Sequence, residues 1–122
     1  MPEILFVDDD EKIRDIFGRL LDARGYHVRT ARDGQEAVEV VHQQSFDLII
    51  MDVKMPRLDG CAAYRHIHEL LPETPVVLMT GYGVRDELDA LVKQGAVAYL
   101  HKPVLMKDLE STVNRLLHLE SP

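Results

Sequence analysis

A chain of 122 residues with 46% apolar content is sized for one core and is too hydrophobic to remain largely disordered. Its formal net charge of −7, with no block of Lys and Arg, argues against direct nucleic-acid contact by this domain, and the single cysteine excludes an internal disulfide. No apolar stretch approaches the roughly 20 residues a membrane helix needs, and Met1-Pro2-Glu3 before a short apolar run is not a signal peptide, so a cytoplasmic location without membrane attachment is expected.

Ile4-Leu5-Phe6-Val7 is a continuous apolar run of the kind a strand shows when both faces of a parallel sheet are covered. Asp8, Asp9, Asp10 and Glu11 fall where that strand ends. Ile13, Ile16, Phe17, Leu20 and Leu21 then recur at helical spacing, with Gly25 as the stop. Tyr26 to Ala31 reads as a second, more polar strand near an edge. Asp33 is placed to cap a second helix in which Ala37, Val38 and Val41 face inward and Glu36 holds the capping-box position. The third strand lies within Phe46 to Met51 and is closed by Asp52. Asp59 is placed to cap a third helix carrying Ala63, Ile67, Leu70 and Leu71, ended by Pro72.

Val76 to Met79 is the fourth strand, followed by Thr80 and the segment Gly81-Tyr82-Gly83. Leu88, Leu91 and Val92 mark a fourth helix that ends near Gly95. Val97 to Leu100 is the fifth strand, ended by Lys102-Pro103, and Leu109, Val113, Leu116 and Leu117 mark a fifth helix with His118 late in it. Residues 119–122 read as a frayed terminus or the start of a linker, so the whole of 1–122 is expected to be one domain. Five strand–helix units with short links predict an α/β fold with an open, five-stranded parallel sheet, since a closed barrel needs about eight such units. In such sheets chemistry gathers at the carboxyl ends of the strands, near a switch in strand order.

Asp8, Asp9 and Asp52 all stand at those ends. Three ionised carboxylates brought together are costly without compensation. A solvated acidic rim is the plain alternative for Asp8 and Asp9, accounts fully for Asp10 and Glu11, and fits Asp52 less well. A hard dication removes the conflict: Mg²⁺, with Mn²⁺ or Ca²⁺ as substitutes, takes oxygen ligands and keeps several waters. Asp9 and Asp52 would each supply an oxygen and a backbone carbonyl after Asp52 a third, with Asp8 acting through water. Cys61 and the six histidines are dispersed, without zinc-ligand spacing. If Asp52 takes a phosphoryl group as nucleophile, Lys102 offers it a cationic donor and Thr80 a neutral one. Phosphoryl transfer chiefly needs positioned groups and screened charge, so Asp52, Lys102 and Thr80 form a sufficient catalytic set.

Four stretches in order, Ile4-Leu5-Phe6-Val7-Asp8-Asp9-Asp10, Asp52-Val53-Lys54-Met55-Pro56-Arg57-Leu58-Asp59-Gly60, Met79-Thr80-Gly81 and Tyr99-Leu100-His101-Lys102-Pro103, resemble the motifs of bacterial two-component response-regulator receiver domains over essentially the whole chain. The resemblance implies a doubly wound, flavodoxin-like sheet of order 2-1-3-4-5 with five helices. It implies Asp52 as phosphoacceptor, Asp9 as direct metal ligand, Asp8 as its partner, and the Lys54 carbonyl as a further ligand. Thr80 would be the switch hydroxyl, Tyr99 the switch aromatic, Lys102 the phosphoryl-pairing lysine, and Lys102-Pro103 a cis bond. Phosphorylation would then alter the surface of the fourth helix, fifth strand and fifth helix. Gly81 departs from the usual Ala or Ser, which is expected to loosen the loop.

Lys54 and Tyr82 fall at positions that modulate hydrolysis in the family, and neither is suited to orient water. The pair resembles that of the phosphorelay intermediate of sporulating bacteria, which implies slow self-hydrolysis. The implied partners are a sensor histidine kinase or a histidine phosphotransfer protein, an output domain or downstream protein, and a phosphorylation-dependent second copy. The protein would be regulatory, with autocatalytic phosphotransfer and weak autodephosphorylation, rather than a turnover enzyme. Three rivals stand beside this reading. A degenerate receiver would serve only as a binding adaptor, and a flavin mononucleotide protein of the same fold would need a phosphate-cradling loop where three aspartates stand. An aspartyl-phosphate phosphatase would want a second acid where Lys54 stands.

Overall fold

The architecture described here is that of a computed structural model. It describes residues 2–53, 60–81 and 98–117, with backbone only at 61, 98 and 99. In chain order the elements are β1 (Glu3–Val7), α1 (Glu11–Ala23), β2 (His27–Ala31), α2 (Gly34–Gln43), β3 (Leu48–Asp52), α3 (Gly60–Leu70), β4 (Val76–Thr80), β5 (Ala98–His101) and α4 (Met106–Leu117). All strand pairs are parallel and the order is β2-β1-β3-β4-β5, as expected.

Alternation along the strands divides the core into two layers. Leu5, Val7, Ile49, Met51, Val76 and Leu78 pack with Ala37, Val40, Val41, Ala63, Tyr64 and Ile67 of α2 and α3. On the other side Ile4, Phe6, Leu48, Ile50, Val77 and Met79 pack with Phe17 and Leu21 of α1 and Leu109 and Val113 of α4. This double covering is why β1, β3 and β4 read as unbroken apolar runs, and why the edge strand β2, with exposed His27, Arg29 and Thr30, does not.

Helix number is corrected. Four helices are present among the described residues where five were expected. The segment expected to form the other, around Leu88, Leu91 and Val92, falls in 82–97, outside the described residues. The expectation there rested on three apolar positions, a thin basis for a helical period. The Asp59 cap and His118 also lie outside the described residues. In α1 the inward stripe is narrower than its apolar spacing suggests: Phe17 and Leu21 are buried, but Ile16 is 51% exposed and Leu20 37%.

Helix starts are set by side chains. Asp10 Oδ1 accepts from the amides of Lys12 (2.8 Å) and Ile13 (3.3 Å), which makes it the N-cap of α1. Asp33 Oδ1 accepts from Glu36 N (2.8 Å), and Glu36 Oε1 reaches back to Arg32 N (3.2 Å), a close variant of the expected box. Gly25, just past α1, has φ +95°, a backbone that favours glycine.

Candidate functional site

The switch in sheet order falls between β1 and β3, and both strands end in acid there. Asp52 is the last residue of β3 and Asp8 follows β1 directly; both are buried, while Asp9 is exposed. Oxygens of Asp8, Asp9 and Asp52 lie within 4.8 Å of one another. Lys102, just after β5, reaches across β4 to this group. Its Nζ donates to Asp8 Oδ2 at 3.0 Å and to Asp52 Oδ2 at 2.9 Å. The Lys102-Pro103 bond is cis.

Backbone bonds hold these groups in place. Val53 N donates to Met79 O (2.9 Å) and Lys102 N to Thr80 O (2.6 Å), so sheet pairing continues past both strand ends. Asp8 is fixed on both sides: its Oδ1 accepts from Asp10 N (2.9 Å), and its carbonyl accepts from the Arg14 guanidinium (2.7 Å). Thr80 ends β4, between Asp52 and Lys102 in sheet order, and its buried hydroxyl donates to the Gly81 carbonyl at 3.0 Å.

Burial pushes the Asp52 carboxyl above the ordinary carboxylate value; Lys102 pulls the other way through hydrogen bond and charge, and Asp8 and Asp9 add to the rise. For Lys102, burial lowers the ammonium, but its bonds and charge interactions with Asp52 and Asp8 outweigh that and raise it overall. The two directions describe one imbalance: the ammonium is well satisfied by its two partners, and burial leaves the Asp52 carboxylate less so. Three carboxylates against one ammonium leave negative charge in excess at the strand ends. Asp9 and the second oxygen of Asp52 accept no hydrogen bond among the described residues. An all-oxygen set with free lone pairs and that excess charge fits a hard divalent ion.

Of the residues singled out from sequence, Asp8, Asp9, Asp52 and Lys102 are brought together, and Thr80 borders them. Tyr99 lies on β5 opposite Leu78, and its side chain is outside the described residues. Lys54 and Tyr82 lie outside them altogether. Arg14 was not foreseen. Its only trace in the sequence is a basic residue one turn into the helix that follows the acidic run.

A family model described as the response regulator receiver domain matches residues 4–114. Among curated proteins, the chain is 39% identical to the transcriptional regulatory protein ZraR of Escherichia coli K12, covering 94% of this chain and 26% of that protein. It is 36% identical to the response regulator MprA of Mycobacterium leprae, covering 98% of this chain and 52% of that one. The chain thus spans between a quarter and about half of these relatives' length. Among solved structures, a response regulator receiver domain protein from Clostridium thermocellum superposes with TM-score 0.91 at 33% identity, covering 98% of this chain and 97% of that one. Chemotaxis protein CheY4 of Vibrio cholerae gives 0.88 at 32% identity, covering 96% and 99%.

Proposed function

The chain belongs to the response-regulator receiver family and is a phospho-accepting receiver; from that premise we propose that Asp52 is its phosphoacceptor. The carrying observation is the bridge from Lys102 to the Asp8 and Asp52 carboxylates at the β1/β3 switch. In the proposed step an Asp52 carboxylate oxygen attacks the phosphorus of a phosphohistidine. The phosphorus–nitrogen bond breaks, the imidazole nitrogen leaves with the electron pair and takes a proton from solvent, and an acyl phosphate forms. Lys102 transfers part of its pairing to the phosphoryl oxygens, and the Thr80 hydroxyl exchanges its bond to Gly81 for one to the same group. Asp8, Asp9 and Asp52, with the Lys54 carbonyl, would hold Mg²⁺, which when bound supplies charge neutralisation to the phosphoryl oxygens.

The proposed donor is a sensor histidine kinase or a histidine phosphotransfer protein in the cytoplasm. Tyr99 is proposed to follow Thr80, so that the surface near β5 and α4 reports the phosphorylated state to an output domain, a downstream protein or a second copy. Among the described residues no helix is long and apolar enough to cross a membrane. Lys54 and Tyr82 are proposed to slow self-hydrolysis. Adding beryllofluoride with Mg²⁺ tests the site: the expected outcome is a saturable amide-shift change spreading from Asp52 to Thr80, absent in Asp52→Asn. No change in the wild type contradicts the reading.

A further inference from the structure

The first residue of α3 stands against the backbone of Asp52. A Cβ built on Gly60 would lie 2.3 Å from the Asp52 carbonyl oxygen, 2.7 Å from Val53 Cα and 3.0 Å from the Asp52 carbonyl carbon. The nearest of these falls about 1.1 Å short of ordinary contact, and all three atoms are backbone, which cannot swing aside as a side-chain tip can. Gly60 is also buried, and no positive φ accompanies it; its requirement is room, unlike that of Gly25. The close approach is itself hydrogen-bonded: Gly60 N donates to Val53 O at 2.7 Å. On the other side Val53 N donates to Met79 O, so the backbone just after Asp52 is held between α3 and β4.

We propose that Gly60 is a positioning residue for phosphoryl transfer: its missing side chain lets the start of α3 clamp the Asp52–Val53 backbone and so fixes where the Asp52 carboxylate meets Lys102. The inference rests on Asp52 being the phosphoacceptor. A methyl at position 60 must displace either α3 or the Asp52–Val53 backbone by on the order of 1 Å, and a misplacement of that size in a reacting group costs about 10²-fold in rate. Where the Asp52–Val53 backbone is what gives way, the carboxylate moves relative to Lys102, whose own backbone N–H is held by Thr80 O of β4.

The test is the initial rate of phosphoryl uptake from a small phosphoramidate donor at saturating Mg²⁺, expressed per folded molecule. Wild type, Gly60→Ala, Gly25→Ala and Asp52→Asn are compared. Gly25→Ala, strained by its φ and remote from the site, serves as the destabilised control. The expected result is a fall of about 10- to 100-fold in Gly60→Ala and a rate within about twofold of wild type in Gly25→Ala. Equal rates in Gly60→Ala and wild type overturn the proposal while leaving Asp52 as acceptor; no uptake by wild type overturns the phosphoacceptor reading instead. If Gly60→Ala does not fold, a glycolate ester at position 60, assembled by ligation at Cys61, replaces the N–H that donates to Val53 O with an ester oxygen and adds no side chain. A several-fold slower uptake by the ester supports the clamp, and an unchanged rate overturns it.

Discussion

At the scale of single residues, the site is an imbalance of charge. Asp8 is fully buried and shares one ammonium with Asp52, whose burial disfavours its ionised form. Removing one negative charge relieves that imbalance, so metal-free Asp52→Asn is expected to melt a few degrees above wild type, roughly 2–4 °C. Removing the ammonium does the reverse. Lys102→Met should destabilise by about 1–3 kcal/mol, less than a fully buried pair because its side chain is partly exposed, and Asp52→Asn added to it should recover part of the loss. Thermal denaturation of the single and double variants decides both; additive effects would show that the pair is not coupled.

Tyr64 presents a different residue-scale case. Its buried hydroxyl has no hydrogen-bond partner among the described residues, and burial pushes its phenol above the ordinary value of 10.0. Tyr64→Phe should therefore stabilise by about 1 kcal/mol at neutral pH. The folded state keeps the proton that the unfolded chain releases above pH 10.0, so wild-type stability is present below that pH and lost as pH rises through the raised value. The advantage of Tyr64→Phe, read as a denaturant midpoint, should widen above pH 10.0. A constant difference would contradict this.

At the scale of elements, strands were more legible than helix faces. β1 after Glu3, β3 and β4 are covered on both sides, so they run apolar until Asp8 just past β1, Asp52 at the end of β3 and Thr80 at the end of β4. A helix face has to be inferred from spacing, and in α1 that spacing included Ile16 and Leu20, which flank the buried stripe without entering it. Leu21→Ala should cost about 2–5 kcal/mol and Ile16→Ala within about 0.5 kcal/mol, measured by denaturant unfolding. Comparable losses would mean that Ile16 is buried. The Asp33 cap was readable because its chemistry is local. Arg14 and Gly60 were not readable as site residues, because each acts on backbone: one on the Asp8 carbonyl, the other through the space beside Asp52.

At the scale of the whole molecule, five repeated strand–helix units pointed to an open parallel sheet, and the motif order pointed to the strand sequence 2-1-3-4-5. The count of helices did not follow as securely, because a helix marked by three apolar positions has little periodic signal. The acidic site was legible because sheet topology and residue type agree at β1 and β3. The residues proposed to set the switching and lifetime of the phosphorylated state, Tyr82, Lys54 and the Tyr99 side chain, lie outside the described residues. Labelled phosphoprotein is expected to persist well beyond minutes, and complete loss within minutes would contradict the role given to Lys54 and Tyr82.

The proposed metal-dependent phosphorylation of Asp52 joins these scales in one reaction. Intact-mass measurement after treatment with a small phosphodonor, with Mg²⁺ and with chelator, tests it on the same protein. One phosphoryl increment on wild type with Mg²⁺, none with chelator and none on Asp52→Asn is the expected result. An increment that survives chelation, or one of equal extent on Asp52→Asn, would contradict Asp52 as the metal-dependent acceptor.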